Sequence, residues 1–520
     1  MTRSDRRWCW VIAAGLMLVT TLPYALGFLN SDDAWQFSGF VFGVEDGNSY
    51  LAKMLTGTYG AWLFRTPYTG TPQAGTVAFL PYLVLGKLVH APHLHLKLVL
   101  LFHMLRLAGI PYLIFSLYRF GAVFLTSSRS RRWVVFLAAA GGGSGWLLPF
   151  LGRSTILGSL PLEFYSPETF GFLSILGLPH LILARALLFD ALRLYLEAGV
   201  DGRKAVRAGL VLSIAILFQP MTVMLGIVVI GVHAAVIAVC ALIRHEGHGV
   251  GKAVRPALWA VLIPAPLIGF LSLAFLRDPF LSAWTAQNQL VSPHPLHYLL
   301  AYGAVIPFAL VGGKHLLSRE THAFLPVTWA VMLPVLAYAP VTVQRRLPEG
   351  IWICLLILAA AGLERMRSSN RWRMGLVIVC LPSSLLILSG SIQAVQAPGE
   401  PLYHPTELVD SFLWARDYLD EGSLVLTSYR TGNILPAYAP LRVVVGHGPE
   451  SIDLYKLLPA VEEAYAGTAD LCGWLAGEGV DVIYVGPYER ELGEASFFGV
   501  DCLEEIYHQD DIILYSVTHP

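Results

Sequence analysis

Residues 222–243 read TVMLGIVVIGVHAAVIAVCALI and contain no charged side chain. A helix of roughly 20 apolar residues crosses the hydrocarbon core of a bilayer, which is about 30 Å thick. This stretch therefore predicts a transmembrane helix. Similar stretches recur along the chain before residue 395, and together they predict about 11 spans, at 9–29, 97–118, 133–151, 173–196, 206–220, 222–243, 256–276, 296–313, 324–342, 350–363 and 374–394.

The composition of the whole chain excludes an ordinary soluble enzyme. Of its 520 residues, 55% are hydrophobic and 14% are charged, with a mean hydropathy of +0.59, whereas about a quarter of the residues of a soluble domain are charged. The net charge of −1 conceals +14 on residues 1–400 and −15 on residues 401–520. Two physically different parts therefore meet near residue 400. No basic surface with interleaved aromatic residues stands out beyond the membrane-flanking loops, so we exclude a nucleic-acid partner.

Basic residues collect in alternate loops, which indicates the orientation of the chain because loops rich in Lys and Arg stay in the cytoplasm. The bias predicts a cytoplasmic N-terminus and an uncleaved first span that serves as a signal anchor. It holds only if the apolar segment 76–91 does not cross the membrane, so we interpret this segment as interfacial. An odd number of spans then places residues 396–520 outside, in a multi-pass protein of the plasma (inner) membrane.

The C-terminal residues 396–520 change from continuous apolar runs to short alternating segments. Strands are predicted near 423–427, 441–445, 481–486 and 511–517, with helices between them. This pattern predicts a small extracytoplasmic α/β domain that follows a membrane domain of residues 1–395. Cys472 and Cys502 lie in it, and they either form a disulfide in an oxidising exterior or are two isolated core thiols.

The first outer loop, about residues 30–96, is the longest loop of the membrane part, and long loops are usually functional. It contains Glu45 and Asp46 at the start of an amphipathic helix that continues through Tyr50 and Lys53. A carboxylate at the membrane surface can act as a general base toward a hydroxyl, or ligate a hard cation. An alternative is that Asp46 only caps the helix, and the local sequence leaves both interpretations open.

Two later outer loops carry further polar groups. Glu168 and His180 flank the start of the fourth span, where Glu168 is either a helix-start residue or a metal ligand, and His180 either a packing residue or a polar contact. Arg345 and Arg346 lie outside against the general charge bias, and arginine grips phosphate through paired hydrogen bonds. Snorkelling to lipid headgroups is the other interpretation of these arginines.

Charged residues inside the predicted spans are the last polar feature. Arg106 lies in the second span, and Arg185 and Asp190 lie in the fourth. We expect them to form intramembrane ion pairs, with a proton relay as the alternative.

The layout of the chain resembles the GT-C class of polyprenyl-phosphate-dependent membrane glycosyltransferases, which includes mannosyltransferases and oligosaccharyltransferases. The residues that carry the resemblance are an acid near the start of a long first outer loop, the interfacial segment 77–90, and Arg106 in the following span. Further similarity, in a Glu-Asp-x-x-x-Tyr, Pro-Glu, Pro-His and Gln-Arg-Arg series, links the chain to uncharacterised bacterial multi-span proteins. The Trp-Trp-Asp-Tyr-Gly motif of oligosaccharyltransferases is absent, since the comparable stretch reads Thr427-Ser428-Tyr429-Arg430-Thr431-Gly432, so peptide-sequon recognition is not implied.

The resemblance implies a role for each matching residue. Asp46, or Glu45 beside it, would be the catalytic base, and Glu168 with Asp46 would ligate a divalent cation such as Mg²⁺ or Mn²⁺. The groups that would hold the donor phosphate are Arg345, Arg346 and Arg106. The groups that would contact the acceptor are Tyr50, His180 and His447, the last of them in the stretch Gly446-His447-Gly448-Pro449-Glu450, which a strand-to-helix turn explains equally well.

These observations predict an inverting transfer of a sugar from a polyprenyl-phosphate donor to an acceptor hydroxyl, in the cell envelope, on the extracytoplasmic face. A carrier of lipid-linked glycans that only binds the phosphate is the competing hypothesis. A third hypothesis is a non-catalytic scaffold whose C-terminal domain binds partners.

Overall fold

The structure is a computed structural model that describes residues 1–199, 201–245, 247–318, 321–467, 470–493, 497 and 499–518. The chain divides into two compact units. The first unit contains residues 1–22, 104–272 and 290–392, and the second contains residues 23–103, 273–289 and 393–520. The second unit therefore combines most of the predicted first outer loop with the C-terminal residues, and the predicted boundary at residue 396 stays a prediction.

Helices dominate the described chain. Up to residue 200 they are α1 Arg3–Leu29, α2 Val44–Thr58, α3 Leu80–Gly86, α4 Leu94–Phe124, α5 Ser128–Ala140, α6 Leu147–Phe150, α7 Gly171–Gly177 and α8 Pro179–Ala198. Between residues 200 and 400 they are α9 Gly202–Phe218, α10 Pro220–Ile243, α11 Gly247–Leu262, α12 Ala265–Arg277, α13 Pro279–Gln287, α14 Leu296–Tyr302, α15 Ile306–Leu317, α16 Phe324–Val331, α17 Leu333–Ala337, α18 Ile351–Leu363, α19 Ser369–Cys380 and α20 Pro382–Ala394. The C-terminal helices are α21 Thr406–Tyr418, α22 Tyr429–Ile434, α23 Leu454–Ala466, α24 Leu471–Glu478 and α25 Pro487–Arg490.

Several of these helices are long and apolar enough to cross a membrane. Within the described residues there are 5 such stretches, at Arg3–Leu29, Leu94–Phe124, Pro220–Ile243, Gln344–Leu363 and Ser369–Ala394. The bent pairs α11–α12 and α14–α15 raise the number to 7 if each pair is one span. The predicted count of 11 is therefore not reached by length and composition, because α5 and α9 have only 13 and 17 residues. The predicted interfacial segment 76–91 contains a shorter helix than expected, the 7 residues of α3.

In the first unit, glycines let α15 and α18 pack with their backbones in close approach. A Cβ atom on Gly312 would lie 1.8 Å from the carbonyl oxygen of Leu358, and one on Gly362 would lie 2.2 Å from that of Phe308. Small residues at such crossings allow van der Waals contact between backbones, which is a main source of helix association in a bilayer.

In the second unit, distant parts of the chain share one core. Strand β1, Trp35–Phe37, pairs antiparallel with β2, Tyr403–Pro405. The buried core joins residues of α2, such as Leu51 and Leu55, to C-terminal residues such as Phe412 and Val443. The first long loop and the C-terminal residues therefore fold together, because each covers apolar surface of the other.

A mixed sheet lies in the C-terminal part of the second unit, with the strand order β4-β3-β5-β7-β6. Its strands are β3 Leu424–Leu426, β4 Arg442–Val443, β5 Val482–Val485, β6 Leu503–Gln509 and β7 Ile512–Val517. The central β3 and β5 pair in parallel and are fully buried, as expected for continuous apolar strands covered on both faces. The Cys472–Cys502 disulfide, with its Cα atoms 6.0 Å apart, ties α24 to the residues before β6.

Candidate functional site

The first turn of α2, in the second unit, carries Glu45 and Asp46. The helix begins after Gly43, whose φ of 58° is left-handed and which is the N-cap residue. Asp46 therefore lies inside the first turn rather than at the N-cap position. Its side chain is 61% exposed, and its Oδ1 lies 3.4 Å from Nε2 of His447. Glu45 accepts a hydrogen bond from the Tyr429 hydroxyl at 3.3 Å, so both acids are in contact with the C-terminal part of the unit.

A buried ion pair begins about two helical turns further along α2. Nζ of Lys53 lies 2.7 Å from Oε1 of Glu450, and the side chains are 1% and 4% exposed. Glu450 also accepts hydrogen bonds from the hydroxyls of Ser49, at 3.0 Å, and Thr66. Buried charges are tolerated when they are paired and hydrogen-bonded in this way. The pair therefore joins α2 to the turn that carries His447.

The electrostatics of this cluster keep Glu450 ionised. Burial would raise the pKa of Glu450, but the charge of Lys53, the neighbouring His447 and the hydrogen bonds from Lys53 and Thr66 outweigh it, so the pKa lies below its ordinary value. Burial, with the negative charge of Glu45, raises the pKa of Tyr429 to about 12. Its phenol is therefore neutral at physiological pH and is a hydrogen-bond donor to Glu45.

The turn Gly448–Glu450 is fixed from two further sides. Oγ of Ser451 accepts from the backbone N–H groups of Gly446 and His447, at 3.0 and 3.1 Å. Nε2 of Gln287 donates to the carbonyls of Pro449 and Ser451, both at 2.8 Å. The position of the His447 ring thus depends on backbone contacts as well as on its own side chain.

Tyr50, predicted to contact the acceptor, lies on the same helix but in a different environment. Its ring stacks on Tyr82 with the centroids 4.8 Å apart and on Phe102 at 5.9 Å. These contacts indicate a packing role for its ring, and its predicted contact with the acceptor stays a prediction.

The first unit places one of the predicted phosphate-binding residues, Arg346, beside Glu168. Nε of Arg346 lies 3.2 Å from Oε1 of Glu168, and the guanidinium of Arg345 lies 4.7 Å from the centre of the Tyr165 ring. A cavity beside this pair is lined by Glu168, Leu181, Gln219, Met221, Thr222, Leu225, Arg346, Leu347 and Glu349. The cavity thus combines one arginine and two carboxylates, those of Glu168 and Glu349, with aliphatic side chains.

The expected intramembrane pairs differ from those that the structure shows. Arg185 pairs with Glu349 rather than with Asp190, and it also donates to the carbonyl of Pro167 at 2.7 Å. Asp190 lies 3.3 Å from Arg193 and 3.8 Å from Arg119. The sequence could not rank these pairings, because 164 residues separate Arg185 from Glu349.

Arg106 and His180, the other predicted site residues of the first unit, lie in helices. Arg106 is fully buried and donates to the hydroxyls of Thr20 and Thr21, at 2.9 and 3.2 Å, and to the carbonyl of Ile175. Its predicted contact with the donor phosphate stays a prediction. His180 lies half-buried in the first turn of α8.

The two predicted metal ligands belong to different units, Glu168 to the first and Asp46 to the second. No group of three or more His, Cys, Asp or Glu side chains that could hold a metal ion occurs among the residues that the structure describes. Glu168 lies against Arg346, and Asp46 lies beside the imidazole of His447. Since Mg²⁺ is usually bound through one or two carboxylates together with substrate phosphates, the predicted cation stays a prediction.

Sequence reasoning missed two buried carboxylates. Glu450 appeared only as the end of a possible wall, and its pairing with Lys53 could not be read from residues 397 positions apart. Glu163, in the first unit, accepts from the backbone N–H of Gly145 at 2.6 Å and from Ser383 at 3.2 Å. The glycine run 141–143 before it was the available signal, because a Cβ on Gly143 or Gly145 would lie within 3 Å of the Glu163 carboxylate.

Comparisons with known proteins place the fold. No protein-family model matches the sequence, and no functionally curated protein matches it. Arabinofuranosyltransferase AftD from Mycobacteria matches 99% of this chain and 40% of its own, with a TM-score of 0.57 and 14% identity. The oligosaccharyltransferase AglB from Archaeoglobus fulgidus, in complex with an inhibitory peptide and a dolichol-phosphate, matches 93% of this chain and 70% of its own, with a TM-score of 0.54 and 13% identity. The same archaeal enzyme in complex with Zn and sulfate matches 90% of this chain and 67% of its own, with a TM-score of 0.51 and 15% identity.

These likenesses define a class. The chain has the fold of the GT-C membrane glycosyltransferases, which use polyprenyl-phosphate-linked donors, and its apolar helices make it a multi-pass membrane protein. Because the identities are low and the chain spans 40% of the length of AftD, activity and substrates do not follow from the fold alone.

Proposed function

We propose that the protein is an inverting glycosyltransferase that moves a sugar from a polyprenyl-phosphate donor to an acceptor hydroxyl on the extracytoplasmic face of the membrane. The observation that carries the proposal is an exposed carboxylate, Asp46, held beside His447 at the start of α2 in a chain with the GT-C fold. A carboxylate in contact with solvent can reach an acceptor hydroxyl, which a buried acid such as Glu450 cannot.

The reaction assigns one task to each group. The acceptor oxygen attacks the anomeric carbon and forms the new C–O bond, while its proton passes to the carboxylate of Asp46. The bond between the anomeric carbon and the phosphate oxygen breaks, and the electron pair leaves with the lipid phosphate. A single displacement of this kind inverts the anomeric configuration. Arg345 and Arg346 are assigned to the leaving phosphate, where paired N–H donors stabilise the developing charge.

The Glu168–Arg346 pair is consistent with this assignment of Arg346. An arginine that already lies against a carboxylate can exchange that carboxylate for the oxygens of a phosphate, which the guanidinium binds in a similar way. Glu168 would then be released toward solvent.

The extracytoplasmic location is supported by the Cys472–Cys502 disulfide. Disulfides persist in oxidising compartments and are rare in the cytosol. We therefore place the C-terminal α/β residues outside and the N-terminus in the cytoplasm.

A divalent cation is a separate part of the proposal. The archaeal neighbour has a structure with Zn and sulfate, whereas the described residues of this chain show no cluster of metal ligands, so no step above passes through a metal. Purified protein treated with EDTA and then supplied with Mn²⁺ or Mg²⁺ decides the point. Turnover that is lost with EDTA and restored by the cation would add it to the mechanism, and turnover unaffected by EDTA would remove it.

The central experiment measures release of lipid phosphate by purified protein in bilayers. The probes are polyprenyl-phosphate pentoses and hexoses, with a short synthetic oligosaccharide as acceptor. We expect Asp46→Asn to lower kcat by about 10²- to 10⁴-fold, the usual contribution of a general base, and Glu45→Gln to have a much smaller effect. Full activity of Asp46→Asn would refute the assignment of the base, and loss in Glu45→Gln alone would transfer the role to Glu45.

The arginines are tested in the same assay. We expect Arg345→Gln and Arg346→Gln to raise the KM for the donor and lower kcat, with Arg153→Gln, an exposed arginine of the same unit, as the matched control. Binding of the lipid phosphate without release by the wild type would favour a carrier. A wild type that neither binds nor releases lipid phosphate would favour a scaffold, provided that deletion of residues 400–520 abolishes its capture of a partner.

A further inference from the structure

The position of the Asp46 carboxylate bears directly on the task proposed for it. Its side chain is 61% exposed, and one of its oxygens, Oδ1, lies beside the ring of His447. A general base is effective only when its oxygen is held within hydrogen-bond reach of the proton it accepts. A neighbouring group that fixes the carboxylate would therefore contribute to turnover without touching the substrate.

His447 has the position of such a group. Its side chain is 10% exposed, and Nε2 faces Oδ1 of Asp46 at 3.4 Å. Its ring lies 5.3 Å from the ring of Tyr68, and its backbone N–H is held by Ser451. The imidazole is therefore much less mobile than the carboxylate it faces.

The other ring nitrogen faces a second, fixed carboxylate. Nδ1 of His447 lies 3.7 Å from Oε1 of Glu450 and has no hydrogen-bond partner among the described residues. Glu450 is in turn held by Lys53, whose ammonium group lies 4.5 Å from the centre of the Phe79 ring. A chain of contacts thus runs from the buried Lys53 through Glu450 and His447 to the exposed Asp46.

We propose that His447 is a positioning residue that holds the Asp46 carboxylate through Nε2–H, and that the buried Lys53–Glu450 pair fixes the orientation of His447. The proposal rests on the proposed function and gives His447 a task other than contact with the acceptor. Because the Asp46 side chain is 61% exposed, an acceptor hydroxyl can approach the carboxylate while the imidazole lies beside it. Within this series, the Lys53–Glu450 pair orients His447 and His447 holds Asp46, but only Asp46 exchanges a proton with the substrate.

Substitution of His447 by glutamine or by asparagine separates the positioning role from simple packing. The amide nitrogen of glutamine occupies about the position of Nε2, whereas that of asparagine occupies about the position of Nδ1. His447→Gln therefore keeps a donor toward Asp46, and His447→Asn places its donor toward Glu450. His447→Leu keeps neither.

The experiment measures kcat and the donor KM of these variants in bilayers by lipid-phosphate release. We expect kcat to fall about 10- to 100-fold in His447→Leu and His447→Asn, the effect of misplacing a reacting group by about 1 Å, with the donor KM nearly unchanged and with substantial rescue in His447→Gln. His508→Leu, an exposed histidine of the same unit that lies 3.2 Å from Glu505, is the control and should retain wild-type values.

A double-mutant cycle identifies the partner. If His447 acts through Asp46, adding His447→Leu to Asp46→Asn costs no further activity, because contacting residues of one network are not additive. A multiplicative loss in the double variant, or equal losses in all three His447 variants, would overturn the proposal while the glycosyltransferase assignment stands. A wild type that releases no lipid phosphate overturns both.

Discussion

Lys53 is 1% exposed, and its ammonium group lies 2.7 Å from the carboxylate of Glu450. Removing one partner of a buried pair leaves the other charge uncompensated, which costs about 3–5 kcal/mol. We expect Lys53→Met to lower the thermal unfolding temperature of the purified protein markedly. Differential scanning fluorimetry in detergent measures the change.

An exposed pair of the same type is the control for this variant. Lys456 lies 3.4 Å from Asp453, with side chains 81% and 63% exposed. Such pairs contribute about 0–1 kcal/mol, so Lys456→Met should shift the unfolding temperature little. Equal shifts for the two lysines would show that the buried pair is not a determinant of stability.

His404 makes stability depend on pH. It is buried in β2, and burial lowers its pKa from 6.5 to about 4, although the charge of Glu400 acts in the opposite direction. Below pH 6.5 the unfolded chain binds a proton that the folded chain refuses, so stability decreases as the pH falls toward 4. The slope for this one group is at most about 1.4 kcal/mol per pH unit. We expect the unfolding temperature to fall between pH 7 and pH 4.5.

The variant His404→Leu tests the source of this slope. It removes the titrating group, so its unfolding temperature should vary less with pH than that of the wild type, whatever its value at pH 7. Identical pH dependence in both proteins would assign the effect to other groups, among them the carboxylates that titrate in the same range.

At the scale of single residues, the sequence could suggest only those candidates that a local pattern marks. An acid pair at the start of an amphipathic helix was enough to select Asp46, and the stretch 446–450 was noted as a possible wall of the site. The Lys53–Glu450 and Arg185–Glu349 pairs could not be predicted, because their partners lie 397 and 164 residues apart. A buried charge carries no local signature of its partner.

Among the elements, α2 and α3 pack so closely that their glycines are required. A Cβ on Gly86 would lie 1.7 Å from the carbonyl oxygen of Met54, and one on Gly57 would lie 2.1 Å from that of Leu83. Backbone cannot yield as a flexible side chain does, so Gly86→Ala should separate the helices. We expect a loss of several °C in unfolding temperature and a lower yield of folded protein.

Gly121, in α4, provides the comparison, because no atom lies within 4 Å of a Cβ built there. Gly121→Ala removes a glycine from a helix interior, which by propensity is neutral or favourable. Size-exclusion profiles and unfolding temperatures of the two variants should therefore differ. Similar behaviour would mean that the contact between α2 and α3 relaxes at little cost.

The elements also show where a pattern of apolar residues stops being informative. The strands expected near 423–427 and 481–486 occur as β3 and β5, because a short apolar run between turns defines a buried strand. The span expected at 133–151 is broken, since α5 ends at Ala140 before the glycine run 141–143. Glycine changes the average hydropathy of a segment little, but it destabilises a helix.

On the scale of the whole molecule, the shared core of the second unit predicts how a truncated chain behaves. Deleting residues 393–520 removes Glu450 and the apolar partners of α2, so the first loop should lose its structure although its own sequence is intact. We expect trypsin to cut after Lys53 in the truncated protein and not in the intact one. Mass spectrometry of the fragments reads this directly.

Cleavage after the exposed Arg203 should be the same in both proteins and controls for the amount of protease. A first loop that stays protected after truncation would show that residues 23–103 fold without the C-terminal part.

The proposed orientation is tested with fusions of a phosphatase that is active only in an oxidising compartment. A fusion after residue 520 should be active and a fusion after residue 245 inactive, because the first would lie outside and the second in the cytoplasm. Activity of both, or the reverse pattern, would overturn the orientation and with it the location of the proposed reaction.

The pairing of β1 with β2 has a consequence for the making of the protein. Gln36 faces His404 in this ladder, so one strand is synthesised long before the other exists. At about 5–20 residues per second, the ribosome needs on the order of 20–70 seconds to translate the intervening chain. During that interval the helices between them enter the membrane while the first loop waits with its apolar side uncovered. A newborn chain of this fold is therefore most vulnerable to proteases and to wrong association before its last quarter arrives.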